Sequence, residues 1–414
     1  MNERRVVLTG MGTVNPIGNT VKETWNSVLA GKSGISGITR FDASKLSCRI
    51  AGEVKNFDYS LFFPEEMRKN AKRMDLFCHY AVAAMQEAAA QAGLANLKER
   101  HRIGVCVGSG IGGLNVQHEN SVALATKGER RVSPFYIPMS IGNMASGIIS
   151  MMYGLTGPNL SLQTACATSN HSIAMGSLII RDGSADVMVA GGAEGVITEL
   201  AVAAFANMRA ISTRNDTPET ASRPYDADRD GFVMGEGGAI LILEEYEHAK
   251  RRGADIICEV LSCGMSGDAY DFVAPDPDGK GALLSMRAAL EKARLNPSDL
   301  GYINAHGTST PVGDVAELNG IWEIIKGDPA ATPVGSTKSY HGHLLGATAG
   351  LEAIITALAI REGMVPANIN IFQRDPALPP VILPTEPVRK PIKAALSNSF
   401  GFGGHNSSLV LGAV

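Results

Sequence analysis

Three residues have the types and settings for covalent chemistry. Cys166 lies in LQTACATSNHSIAMGSL, residues 162–178, among small neighbours at what reads as a helix start. His306 lies in NAHGTSTPVGD, 304–314, and His343 in STKSYHGHLLG, 336–346, each in a Gly/Ser/Thr-rich loop before a helical pattern, with Lys338 close to the second. A lone cysteine is usually a small buried side chain. At a helix N-terminus, though, unpaired N–H groups and the positive dipole end favour the thiolate, and small neighbours admit a substrate. Cys166 is therefore either packing or a nucleophile. The two histidine loops tilt the reading towards acyl transfer, with a thiol to carry the acyl group and imidazoles to stabilise an oxyanion or enolate. SNSFGFGGHN, 397–406, adds a turn whose backbone N–H groups can face an oxyanion.

Other motifs point nowhere. GSGIGG, 108–113, fits G-x-G-x-x-G and follows an apolar run, but LNVQHENS after it is a poor helix start and no acidic partner is placed for a dinucleotide. GMGTVNPIG, 10–18, has the wrong glycine spacing, and no phosphate loop, H-E-x-x-H or G-x-S-x-G occurs.

These loops need a rigid scaffold. The apolar runs 5–9, 103–107, 186–190, 239–243, 256–261 and 408–411 read as buried strands. Helical patterns alternate with them at about 75–93, 169–182, 281–294, 313–326 and 346–362, which predicts an α/β fold. Residues 5–12 and 256–265 are similar strands ending in a Gly/Met turn. Each is followed, further on, by a polar loop, a small-residue helix and more apolar chain. Any α/β protein offers such matches. If the duplication is real, Cys166 and His343 lie near corresponding helix starts, across a pseudo-twofold axis.

The chain has 414 residues, 45% hydrophobic and 19% charged, with a net charge of −4, so it has a large interior and no global case for nucleic acid or membrane. The start, MNERRVVLTGMG, lacks the pattern of a signal peptide. Six cysteines with no C-x-x-C pair or metal-type clustering predict a reducing cytoplasm.

These residues together resemble the elongating β-ketoacyl-acyl-carrier-protein synthases, closest to type II of bacterial fatty-acid synthesis. The likeness runs nearly end to end, through RRVVLTGMGTVNPIGN, GSGIGGL, TACATS, ADVMVAGGAE, SRPYDADRDGFVMGEGG, NAHGTSTPVGD, STKSYHGHLLG and SNSFGFGGHN in order. The resemblance implies a thiolase-like fold, five-layered α-β-α-β-α, with two pseudo-duplicated halves at 1–254 and 255–414. It implies a homodimer that needs no cofactor and no metal. It makes Cys166 the acyl-accepting nucleophile, and His306 and His343 the stabilisers of the carbanion left when malonyl-carrier protein loses carbon dioxide. It gives the oxyanion hole to the N–H groups of Cys166 and Phe402, with Phe402 also a gate. Lys338 and Glu352 become a supporting charged pair, Thr308 and Thr310 neighbours of the phosphopantetheine arm, and Ile111 and Phe205 walls of the acyl pocket. His171 reads as structural. The acidic carrier protein would meet Arg68, Lys69, Lys72 and Arg73, the pair Arg130 and Arg131, and Arg209.

Some positions depart from the type II pattern: Tyr340 and His341 for Met-Thr, Ala349 for Gly, Val273 for Thr, and His405 for Thr. They remove no catalytic group but put substrate preference in question and admit a ketosynthase of a specialised polyketide pathway. A non-catalytic chain-length subunit would lack Cys166. A degradative thiolase would carry a second cysteine in the late glycine loop. The sequence leaves open a monovalent cation near Asn398.

Overall fold

The computed structural model describes residues 4–330 and 332–414. Among these, ten strands join in one sheet: β1 (Val6–Val14), β2 (Ile103–Gly108), β3 (Asn159–Leu160), β4 (Val187–Glu194), β5 (Gly237–Glu245), β6 (Cys258–Gly267), β7 (Leu300–Asn304), β8 (Val334–Gly335), β9 (Ala394–Gly401) and β10 (His405–Gly412). The helices that bear on the site are α1 (Leu76–Gln91), α2 (Leu114–Lys127), α3 (Thr168–Asp182), α4 (Lys280–Ala293), α5 (Pro311–Ile325) and α6 (Thr348–Glu362). All six strands and five helices expected from periodicity are present. The short edge strands β3 and β8, together with β7 and β9, carry no clear alternation and were not foreseen.

The strand order is β8-β7-β9-β10-β6-β1-β5-β4-β2-β3. Renumbered within each half, both sides read 3-2-4-5-1. In both, the fifth strand runs antiparallel to its neighbours, while β2 pairs in parallel with β3 and β4, and β7 with β8 and β9. The sequence hint of duplication is thus a topological fact. The halves meet where β1 pairs antiparallel with β6, through Val7–Glu259 and Leu8–Cys258.

Helices α3 and α6 pack on each other between the two half-sheets, with α1 and α4 on the outer faces, so the layers alternate helix, sheet, helix, sheet, helix. The sequence of α6 fits this central place. From Thr348 to Ile360 every residue is buried, as a helix without a polar face must be. Outside, α1 lies with its backbone against β1. A Cβ at Gly12 would come within 2.0 Å of the Ala84 carbonyl oxygen, so only glycine permits that approach.

Candidate active site

The central helices begin in the same way. A tight turn, Ala165–Ala167, precedes α3, and Leu345–Ala347 precedes α6. Ala165 and Leu345 both have φ +49°, and both helices end at a left-handed glycine, Gly183 and Gly363. A left-handed non-glycine residue is costly and persists only where its surroundings impose it. At Ala165 they do so directly, because Gly401 of β9 presses on the turn: a Cβ there would meet Thr164 O at 2.8 Å and Cys166 N at 3.1 Å. The turn lifts Cys166 onto the floor of a cavity of about 510 Å³.

His343 reaches the same point from the other half. Gly342, at φ +73°, turns the chain after Lys338–His341. The His343 N–H then donates to Val233 O (2.7 Å), and its carbonyl accepts from Gly235 N (2.8 Å). Its Nε2 lies 3.1 Å from Cys166 Sγ. The Leu345 N–H donates to its Nδ1 (3.2 Å), and Thr348 Oγ1 lies 2.9 Å from the same atom. A neutral ring that accepts a backbone N–H at Nδ1 carries its proton on Nε2, so His343 offers an N–H to the thiol and to whatever binds there.

His306 follows β7. Glu317 of α5 anchors its loop by accepting from His306 N (2.7 Å) and Gly307 N (2.6 Å). Its ring centroid is 5.3 Å from that of His343, at 82°. Lys338 is buried behind both. Its Nζ donates to the His306 carbonyl and, at 2.6 Å, to Glu352. The Lys338 ammonium thus holds the first histidine's main chain, while its charge acts on both rings. Burial first, then the Lys338 charge, push both imidazoles well below their ordinary pKa, so both are neutral.

The thiol corrects an expectation. The helix start was expected to favour thiolate, yet burial pushes the Cys166 thiol up to about 12. Lys338 and the backbone N–H groups of Phe402 and Cys166 pull the other way, but desolvation wins. These are the two N–H groups that the resemblance assigns to an oxyanion hole.

Ile111, Phe205, Arg209, Thr308, Thr310 and Phe402 all line the cavity. Thr308 and Thr310 bond each other (2.9 Å) near the exposed Val312. Phe402 sits at the tip of the β9–β10 hairpin, its ring 6.5 Å from Phe205. Lys338 and Glu352 lie behind the lining. Arg68, Lys69, Lys72, Arg73, Arg130, Arg131 and Arg209 are exposed, and Arg73 stacks on Phe135 (4.3 Å), in the segment that follows Arg130 and Arg131. His171 is bonded to Thr164 Oγ1 (2.8 Å) and held neutral, its pKa lowered to about 4.

Of the departures, Val273 lines the cavity and His405 is exposed. Tyr340 and His341 are buried and bonded away from it, to Ala367 O and to Gly342 O and Thr337 Oγ1. Ala349 is buried in the first turn of α6. Asn398 donates to Glu317 (3.2 Å) and accepts from Ser408 (2.8 Å).

One loop behaves differently from the sequence reading. GSGIGG does open a helix, α2, without a side-chain cap. Its Gly110 and Ile111 N–H groups are taken by the buried Glu194, leaving them unavailable to a phosphate. The reading also missed Glu194, Glu317, Thr348 and Phe232, whose ring stands edge-on to His343 (5.3 Å). Only long-range contacts distinguish them from other acids, threonines and aromatics.

The side-chain donor atoms of Cys166, His306 and His343 lie within 4.8 Å of one another, as metal ligands can. The protonation of His343 disfavours this. A ring bound through Nε2 needs an acceptor for its Nδ1 proton, whereas Nδ1 here accepts from Leu345 N. The arrangement suits a nucleophile flanked by two neutral imidazoles.

Fold and site together define a thiolase-like condensing architecture. Residues 3–249 match Beta-ketoacyl synthase, N-terminal domain, and residues 257–372 match Beta-ketoacyl synthase, C-terminal domain; the chain belongs to the β-ketoacyl synthase family. It is 49% identical over 414 residues to 3-oxoacyl-[acyl-carrier-protein] synthase 2 of Vibrio cholerae, covering 99% of each chain. It superposes on a crystal structure of a β-ketoacyl synthase from Burkholderia phymatum with TM-score 0.91 at 34% identity, covering 99% of this chain and 100% of that one. It also superposes on a type II PKS acyl-carrier protein in complex with its ketosynthase bound to the hexaketide (AntDE:AntF), with TM-score 0.89 at 31% identity and all of both chains covered.

Proposed function

We propose that this protein catalyses the decarboxylative condensation of an acyl-carrier-protein thioester with malonyl-acyl-carrier protein in fatty-acid elongation. The observation that carries the reading is the 3.1 Å approach of His343 Nε2 to Cys166 Sγ on the floor of the cavity, with His306 alongside. In the first half-reaction Cys166 sulfur attacks the thioester carbonyl. The oxyanion takes the N–H groups of Cys166 and Phe402, the carrier's thiolate leaves, and the proton lost by Cys166 ends on it. In the second half-reaction malonyl-carrier protein loses carbon dioxide. The electron pair of the broken C–C bond becomes an enolate whose oxygen receives N–H donation from His343 and His306. That carbon attacks the acyl-cysteine, the C–S bond breaks, and the departing Cys166 thiolate takes one proton from water, the proton that loss of carbon dioxide from the carboxylate leaves unsupplied. No electron or group is drawn from a cofactor or metal. Lys338, held by Glu352, supports the pair by fixing the His306 loop, and its charge adds to burial in keeping the imidazoles neutral.

Ile111 and Phe205 bound the acyl chain, Phe402 gates it, and Thr308 and Thr310 meet the phosphopantetheine arm. Arg68, Lys69, Lys72, Arg73, Arg130, Arg131 and Arg209 receive the acidic carrier protein. The chain divides at 254/255 and works as a cytoplasmic homodimer. In support of the dimer, β3 leaves an exposed sheet edge beside exposed Met151; no described helix is long and apolar enough to cross a membrane. A second reading, a ketosynthase of a polyketide pathway, draws on the likeness to the AntDE:AntF ketosynthase.

Intact-protein mass tests the reading after mixing with long-chain acyl-carrier protein, followed by a malonyl-carrier-protein chase. The expected result is a gain of one acyl group that Cys166→Ala abolishes and the chase discharges as β-ketoacyl product. Acylation only from a specialised carrier protein favours the polyketide reading. No acylation from any carrier overturns both.

A further inference from the structure

At the end of β4 the carboxylate of Glu194 is fully buried and receives four uncharged donors from two separate loops. Ser109 Oγ (2.7 Å), Gly110 N (2.8 Å) and Ile111 N (3.2 Å) come from the loop that walls the cavity. Gly346 N (2.9 Å) comes from the turn that starts α6. Ser109 Oγ also accepts from Gly112 N (3.0 Å), so the first loop is tied at several points. Burial pushes the carboxyl up and the donors pull it back. With N–H and O–H groups on both oxygens, the carboxylate form fits this nest.

The two loops also touch each other. A Cβ on Gly346 would come within 2.3 Å of Gly110 N and 2.7 Å of Glu194 Oε2. One step beyond each contact lies a group the reaction uses. Ile111 packs with Cys166 and Leu345 at the cavity wall. Leu345 N, next to Gly346 N, fixes the His343 proton on Nε2.

We infer that Glu194 is a positioning residue that clamps the Ile111 wall to the turn behind His343, and so governs both chain-length preference and the decarboxylating half-reaction. The inference rests on the condensing reading above. Glu194 touches neither the thiol nor the substrate, so it leaves formation of the acyl-cysteine in place. Its charge disfavours the Cys166 thiolate, against the opposite pull of Lys338. Removing that charge therefore does not slow attack by the sulfur.

The test measures the two half-reactions separately in the full-length enzyme, Glu194→Gln and Ser109→Ala, over carrier-protein acyl chains of graded length. For Glu194→Gln, discharge of the acyl-enzyme by malonyl-carrier protein should fall about tenfold or more, the scale of a lost hydrogen bond to a charged group. The acylation rate should not fall, and the range of accepted chain lengths should widen. Ser109→Ala loosens only the wall, so it should widen the range and leave discharge within about twofold. Equal loss of both half-reactions in Glu194→Gln with an unchanged length profile would mean a merely structural role. If Glu194→Gln does not fold, Ser109→Ala decides: an unchanged length profile overturns the inference. Failure of the wild-type protein to be acylated at all counts against the condensing reading instead.

Discussion

At the residue scale the site is set by desolvation. Cys166, His306 and His343 are all buried, and each is driven to its neutral form. The proposed chemistry uses both: a thiol that keeps its proton until a thioester arrives, and imidazoles that keep an N–H for donation. A thiol with its pKa raised to about 12 has a thiolate fraction that climbs throughout the range below it. Alkylation of Cys166 by iodoacetamide, read by mass against Cys166→Ala, should therefore rise about tenfold per pH unit from pH 7 to 9. A plateau inside that range would show that the helix start, not burial, controls the sulfur. The sequence marked this residue as a candidate nucleophile, through its small neighbours and the two histidine loops, and the structure brings the three together. The sequence misjudged the ionisation, because a helix start is local whereas burial comes from Phe232, Leu345 and the β9–β10 hairpin, all distant in sequence.

At the element scale, function depends on how closely elements approach. The first strand lies so near α1 that Gly12 has no space for a side chain. Gly12→Ala should destabilise the fold by about 1–3 kcal/mol, as overpacking does, read from the denaturant midpoint. An unchanged midpoint would show that α1 can move outward freely. The strands and helices of strong periodicity were legible, with ends shifted by a few residues. Strands β7 and β9 were not, though they carry the chain to His306 and to the Phe402 turn. Ala394–Gly401 reads AALSNSFG, with polar residues inside, and two of them, Asn398 and Ser399, are satisfied by partners such as Glu317 and Cys166 O. Buried polar residues that find partners defeat a reading based on hydrophobic alternation. Glu194 and Glu317 were invisible for the same reason, since an acid that binds backbone N–H groups looks in sequence like any surface acid.

At the scale of the whole molecule, the ten-stranded sheet ends at β3, where Asn159 and Leu160 are exposed. An uncovered edge invites pairing with another chain, and Met151, 65% exposed, lies on the helix Met144–Tyr153 that packs on that strand. Sedimentation should give twice the mass of a single chain, and Met151→Glu should shift it towards one. A wild-type protein that sediments as one chain would remove the homodimer from the proposal.

The two left-handed turns, 180 residues apart, have a further consequence. Cys166 follows Ala165 in one, and Gly346 follows Leu345 in the other. The fold thus builds two equivalent elbows but arms only one. The second cannot carry a thiol, because its first side-chain carbon would lie on the backbone of Gly110. On the proposed chemistry, a stoichiometry of one acyl chain per polypeptide is therefore built into the backbone, and the unarmed copy is free to serve as the hinge-post for a histidine.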